Sequence, residues 1–467
     1  MRWPSIGLAL LAALAAAETT ATTESTPTAS STSLGKSGTS TSLDLAQATT
    51  ITTGDVPLPS GSYITYSTTV TLANGNSSVM VSTQTARNAT MTSSNQTAVS
   101  TTTSDSLTVL VGGGGTTTLT GNSTMNATAT ATSTSTQTPV KNTRPCNNYP
   151  EFCARKYSNI TMVAAHNSPF VRKGNVASNQ VLPVTTQLDD GIRMLQFQTH
   201  LQNGTMMLCH TSCELLNVGT LEAYLSEVNL WARQHPYDVV TILVGNYDYV
   251  DPGNFTAPIQ NSGLLDLVYT PPKIPMARDD WPTLSEMILT GKRVVFFMDY
   301  QANQTAIPWL MDEFSQMWET PFSPTNRDFP CTQQRPPDLS RKDAMNRMYL
   351  ANHNLNIQLD LGSLSLLIPN TAVINETNAV NGSGSLGRMA KNCTTMWDRP
   401  PNFLLVDFYN YGNFNGSVFE VAAEMNNVTY DRECCGVLSG TIPMISAMHM
   451  STVFAVAAGV LIFSSAF

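Results

Sequence analysis

Two histidines sit where the chain changes from apolar to polar. His166 follows the run Ile160–Ala165 and opens the turn Asn167-Ser168-Pro169, and His210 ends the run Met206-Met207-Leu208-Cys209. Histidine is the side chain whose unperturbed pKa lies near neutrality. Two of them brought together can work as base and acid, one removing a proton from an attacking oxygen and the other protonating a departing one. That pairing suits phosphoryl chemistry. Three carboxylates, Asp299, Glu319 and Asp407, also stand at or just after the ends of apolar runs.

For these residues to meet, the runs must be neighbouring strands with their C-terminal ends on one side. Strand candidates are Ile160–Ala165, Ile192–Phe197, Thr205–Cys209, Val239–Val244, Arg293–Met298, Gln316–Glu319, Met348–Ala351 and Phe403–Val406. Several are continuously apolar, as strands buried on both faces are. Between them, Thr220 to Gln234 carries a helical stripe of Leu221, Tyr224, Leu225, Val228, Leu230 and Trp231, with Thr220 placed to cap it. A shorter helix is expected around Trp281 to Ile288. Strands alternating with helices predict an α/β fold with a parallel sheet. The length of residues 144–436 suits one (β/α)8 TIM-type barrel, whose chemistry sits at strand C-termini.

The flanks differ in composition. Residues 1–17 have a charged start, an apolar run and Ala15-Ala16-Ala17 before Glu18, the pattern of a secretory signal peptide. Residues 18–143 are dominated by Ser and Thr and contain no cysteine. Such a stretch lacks the apolar surface to offset the entropy of ordering, so a disordered, O-glycosylated stalk is expected. A small β-module around Ser62–Thr71 and Thr108–Thr120 is the alternative. Residues 437–467 end in an apolar tail with no charged residue after Glu433. This resembles a GPI-attachment signal, with a retained membrane span as the alternative; either would tie the protein to a membrane.

All eight cysteines follow residue 145. An even number on a secretory route suggests disulfides, and spacing favours Cys146 with Cys153 and Cys209 with Cys213. Asn-x-Ser/Thr acceptors recur at Asn159, Asn203, Asn254, Asn303, Asn375, Asn381, Asn392, Asn415 and Asn427. The expected destination is the cell surface, as a GPI-anchored plasma-membrane or cell-wall glycoprotein. The net charge of −9 and the lack of a basic patch argue against nucleic acid. A monomer is expected.

The residues also match a family. Val163-Ala-Ala-His166-Asn167-Ser168, Gly191-Ile192-Arg193-Met-Leu-Gln196-Phe-Gln198 and Leu208-Cys-His210 resemble the X-region of phosphatidylinositol-specific phospholipases C. Thr220-Leu-Glu-Ala-Tyr-Leu, His235-Pro236 and Leu404-Leu-Val-Asp407 continue the resemblance over about residues 155–412. It implies an irregular barrel and a phosphoric diester hydrolase. His166 would be the base, His210 the acid, and Asp407 the carboxylate that orients and charge-balances His166. The substrate would be a phosphoinositide or another phosphodiester lipid headgroup.

The sequence also departs from that family. The metal-independent bacterial members carry an arginine where Gln198 stands, and the calcium-dependent members carry acidic residues at the positions of Gln196 and Gln198. Asn167 matches the asparagine of the calcium-dependent branch. No cofactor is firmly expected, and calcium stays open. Arg172 and Lys173, in the loop after His166, are candidate substitutes for the missing charge, whereas Arg193 has the parity of Leu195 and Phe197 and should face the outer helices. Asn167, Gln196, Gln198, Asp299, Glu319 and Tyr409 are expected to line the substrate site. His200 and His353 are read as structural. The alternative function is a catalytically impaired relative with a binding or structural role at the cell surface.

Overall fold

The computed structural model describes residues 50–52, 61–72, 144–361 and 364–436, all within one compact unit, Ala46–Phe467. The expected signal peptide, most of the expected stalk and the apolar tail lie outside the described residues, as does the alternative β-segment Thr108–Thr120. No described helix is long and apolar enough to cross a membrane.

Eight parallel strands form the framework: β1 (Met162–Ala165), β2 (Met194–Gln202), β3 (Val240–Asn246), β4 (Val294–Met298), β5 (Leu310–Asp312), β6 (Met317–Glu319), β7 (Met348–Asn352) and β8 (Phe403–Val406). Their lateral order is β5-β4-β3-β2-β1-β8-β7-β6. The sheet is therefore a curled, TIM-type barrel wall with a seam between β5 and β6, where the single helical turn Glu313–Gln316 joins the two edges.

The pleat sorts the side chains into two cores. Val163, Ala165, Leu195, Phe197, Ile242, Val244, Leu404 and Val406 face outward to the helices. Met162, Ala164, Met194, Leu243, Phe297, Met348, Leu350 and Leu405 face inward and fill the lower barrel with Tyr157 and Trp281. Continuing the inward parity by two residues per step reaches His166, Gln196 and Gln198, Gly245, Asp299, Glu319, Asn352 and Asp407. The upper layer of the interior is thus polar while the lower is apolar.

The helix Leu221–Gln234 forms as expected, with Thr220 Oγ1 accepting from Ala223 N–H. The short helix Leu284–Leu289 begins at a capping box of Thr283 and Glu286. Cysteines pair as Cys146–Cys153, Cys209–Cys213, Cys331–Cys393 and Cys434–Cys435, so both pairings favoured by spacing are present.

Three expectations are corrected. Thr205–Cys209 is not a barrel strand: it pairs antiparallel with the overhanging end of β2, and with Asn217–Thr220 forms an appended antiparallel ribbon. The missing barrel strand is β5, only three residues long and thus below the length at which apolar periodicity is visible. Part of the segment read as stalk also packs on the barrel. Val70–Thr71 pair with Lys273–Ile274, and the Tyr63 ring meets those of Tyr300 and Phe314 at 5.8 and 4.8 Å. This agrees in place with the Ser62–Thr71 alternative: two tyrosines suffice to seat a short strand on an existing apolar surface.

Candidate active site

β1 ends at Ala165, and His166 stands at its mouth with its backbone N–H on Val406 O, so β8 fixes its height. His166 Nδ1 lies 2.8 Å from Asp407 Oδ1, which also accepts from Asn179 Nδ2 at 2.9 Å. A carboxylate only accepts, so Nδ1 carries the proton and Nε2 is left as the basic nitrogen. Asp407 is buried, and its Oδ2 has no partner.

His210 reaches the same place from the ribbon. Register sets His200 opposite Met207, so the returning strand descends to the barrel mouth at Cys209. His210 Nδ1 donates to Ala177 O at 2.7 Å, again leaving Nε2 free to face inward, and Phe170 stacks on the ring. Burial first, and the neighbouring His166 second, lower its pKa to about 4.

Asn167 joins the two rings. Its Nδ2 lies 3.2 Å from His166 Nε2 and 3.1 Å from His210 Nε2. The two basic nitrogens are thus within about two hydrogen-bond lengths of each other. Asn167 achieves this with a left-handed backbone, φ 48°, which asparagine tolerates better than most residues. The following Ser168 is tied to Gln187 and Tyr224 at 2.5 and 2.7 Å.

The histidines open onto a cavity of about 470 Å3. Asn167, Gln196, Gln198, Asp299 and Glu319 line it. Asp299 is pushed up to about 6 by burial, while its Oδ1 accepts from Asn246 and Tyr300 N–H groups. Glu319 accepts from Arg335 at 2.9 Å and from Asn352 at 3.2 Å. Tyr409 is not in the cavity: it is fully buried and donates to Asp190 Oδ2 at 2.5 Å. Phe408, at φ 43°, turns the chain outward before it. Arg172 lies outside the cavity and donates to Asn217 O; Lys173 does not line it either. Arg193 faces outward onto Trp231 and Asp238, in agreement with its parity. His353 is buried on Thr377 O, and His200 pairs with Asp248 outside the cavity.

Sequence reasoning missed Arg335, Glu313 and Asn179. Arg335 is buried among Tyr300, Phe314 and Phe322 and is the one cation lining the cavity among the described residues. It lies in a Pro-rich stretch without periodicity. Glu313 sits in the turn across the seam, and burial, with Glu319 beside it, holds its carboxyl well above the ordinary range. Asn179 comes from the loop before helix Val184–Asp190, where nothing local marks it.

A calcium ion is the metal to test against this donor set. Calcium takes about 6–8 oxygen ligands, carboxylates prominent among them. At the place in question Asn167, Gln196 and Gln198 are neutral, and the amide oxygens of Gln196 and Gln198 accept from Asn167 N–H at 2.9 Å and Thr211 N–H at 3.3 Å. Only Asn167 Oδ1 is left without a partner. No described group of three His, Cys, Asp or Glu residues is arranged to hold a metal. The residues do not fit the ion.

The chain is similar to several known proteins. The family model described as PI-PLC X 1 matches residues 152–426. An uncharacterized secreted protein of Arthroderma benhamiae is 63% identical over 319 residues, covering 66% of this chain and 72% of that one. A PI-PLC X domain-containing protein 1 of the same fungus is 42% identical over 271 residues, covering 57% of this chain and 86% of that one. Among solved structures, the phosphatidylinositol-specific phospholipase C from Listeria monocytogenes aligns at a TM-score of 0.39 and 11% identity, over 61% of this chain and 97% of that one. With the family model spanning more than half of the chain, and with both histidines inside the match, the chain belongs to the PI-PLC X family.

Proposed function

We propose that the protein is a secreted phosphoric diester hydrolase that cleaves a lipid with a polyhydroxylated headgroup by His166/His210 acid–base catalysis. The observation that carries this reading is the convergence of the two Nε2 atoms on one point, with Asp407 behind His166. His166 Nε2 takes the proton of an attacking hydroxyl, from the headgroup or from water, as that oxygen bonds to phosphorus. The bond from phosphorus to the lipid oxygen breaks, and the proton on His210 Nε2 goes to the departing oxygen. One proton is gained and one lost, so the pair ends with the charge it began with. The low proton affinity of His210 makes it a strong acid once protonated, and the anionic phosphodiester is what brings the proton there.

On the far wall, Asp299, Glu319, Asn352 and Arg335 offer acceptors and donors at fixed positions, as a ring of hydroxyls requires. Export is supported by the four disulfides and by the glycosylation acceptors: all nine in the cysteine-bearing part lie at exposed positions, although Asn147, Asn246, Asn352, Asn378, Asn402 and Asn426 are buried. The apolar tail would then anchor the protein at the cell surface.

The test is hydrolysis of phosphatidylinositol in vesicles by the purified full chain, followed by release of water-soluble phosphate ester. His166→Ala and His210→Ala should each abolish release while the melting temperature is kept. Absence of turnover on every inositol lipid tried, with and without calcium, would move the reading to the impaired binding protein.

A further inference from the structure

In the proposed reaction the negative charge of the phosphoryl group has no evident counter-charge. Among the described residues lining the cavity, the only cation is Arg335, and it is engaged by Glu319 and Tyr300 at 2.9 and 3.0 Å. Arg172 and Arg193 are turned elsewhere, and the donor set does not suit calcium. Resting on the proposed reaction, we infer that this protein meets the phosphoryl charge with side-chain amide N–H groups, those of Gln196 and Gln198, in place of a guanidinium or a bound cation.

The orientation of the two amides follows from what their oxygens touch. A backbone N–H can donate only to an oxygen, so Gln196 presents Oε1 to Asn167 N–H and Gln198 presents Oε1 to Thr211 N–H. In a planar carboxamide the NH2 group then points along the other branch. Neither Nε2 has a protein partner among the described residues, and both side chains line the cavity. The donors that fix them are informative in themselves. Asn167 carries the amide that touches both histidines, and Thr211 follows His210, so each glutamine is held against the residue next to a catalytic ring.

The strand also places them. Gln196 and Gln198 are two apart on β2 and share its inward face. Opposite Gln198 in register is Gly245. A Cβ there would meet Phe197 O at 2.9 Å and Gln198 Cγ at 3.6 Å, so the glycine lets the two strands approach and leaves open space beside the Gln198 amide. Neutral donors are weaker than charged ones in water, but fixed donors in a buried site need no reorganisation as charge builds up. In the reaction step, the attacking oxygen bonds to phosphorus and the leaving oxygen departs. Negative charge grows on the non-bridging oxygens while both oxygens are partly bonded, and these oxygens accept from the two Nε2 groups.

The experiment uses the full chain and two readouts, calorimetric binding of inorganic phosphate and turnover on phosphatidylinositol vesicles, each in EDTA and in calcium. Gln196→Glu and Gln198→Glu keep the acceptor for the backbone N–H while removing the NH2 donor; Gln198→Met removes the amide without adding charge. Wild type should bind phosphate and turn over equally in EDTA and calcium. Each variant should bind phosphate at least about tenfold more weakly and lose on the order of 10²-fold in turnover, with an unchanged melting temperature. Phosphate binding by wild type that EDTA abolishes, or a Gln198→Met variant that binds phosphate and turns over like wild type, would overturn the inference and leave the proposed reaction intact. Amide-dependent phosphate binding in a wild type that turns over no lipid would keep the inference and remove the reaction.

Discussion

His166 and Asp407 are 241 positions apart in the chain, yet their side chains meet at 2.8 Å because β8 lies beside β1 in the sheet. The contact fixes which ring nitrogen holds a proton, and so which one can accept another. Replacing Asp407 by Asn keeps the shape but removes both the charge and the demand for a proton on Nδ1. Asp407→Asn should lower turnover by on the order of 10²–10⁴-fold. Steady-state assay beside a far-ultraviolet dichroism spectrum checks this; a variant as active as wild type would leave Asp407 a capping residue only.

The pH profile should carry the mark of His210. The working form of the pair holds one proton. His210 is lowered to about 4, so the second proton is taken only as pH falls through that value. The acid limb of kcat/KM should therefore lie near pH 4, well under the unperturbed imidazole value of about 6.5. Only the pair as a whole titrates, so the limb belongs to the two rings together, and it is read on the active wild-type enzyme. A limb at the unperturbed value would contradict the burial of this ring.

Arg335 should matter for stability as much as for binding. It is 3% exposed and faces Glu319, with Glu313 and Asp299 nearby. Arg335→Met would leave these buried carboxylates without a cation. Removal of one partner of a buried pair costs about 3–5 kcal/mol, measurable as a shift in the urea midpoint. Double replacement, Arg335→Met with Glu319→Gln, should recover part of the loss.

The Cys331–Cys393 bridge closes a loop of 62 residues across the Pro-rich segment and the helix Leu386–Trp397. Chain-entropy reasoning gives it about 4 kcal/mol. The variant with both cysteines replaced by Ala should unfold at correspondingly lower denaturant, while Cys146→Ala with Cys153→Ala, which opens a loop of seven, should lose less.

What could be read from the sequence was what repeats. Four of the eight strands span five to nine residues, and the inward parity of β2 was enough to pair Gln196 with Gln198 and to turn Arg193 outward. The histidines were legible because each directly follows an apolar run. What could not be read was set by tertiary contact. β5 is too short to show a period. Thr205–Cys209 is as apolar as the barrel strands, and nothing local says that it runs antiparallel. Tyr409 was misplaced because a single left-handed residue, Phe408, reverses the side on which the next side chain falls. Arg335 comes to the cavity through the bridge between Glu319 and its own backbone, a pairing that no window of sequence contains.

The two histidines belong to different mechanical parts. His166 is built into the barrel wall, whereas His210 is carried by a ribbon whose strand pairing with the wall runs along the overhanging end of β2, with the Thr211–Gln198 and His210–Ala177 hydrogen bonds beside it, and which is closed at its base by Cys209–Cys213. An arm of this kind opens at lower cost than the sheet that carries it. Acid and base can therefore part company while the barrel is still whole, and activity in mild urea should fade before the dichroism changes. The barrel supplies endurance and the arm supplies alignment.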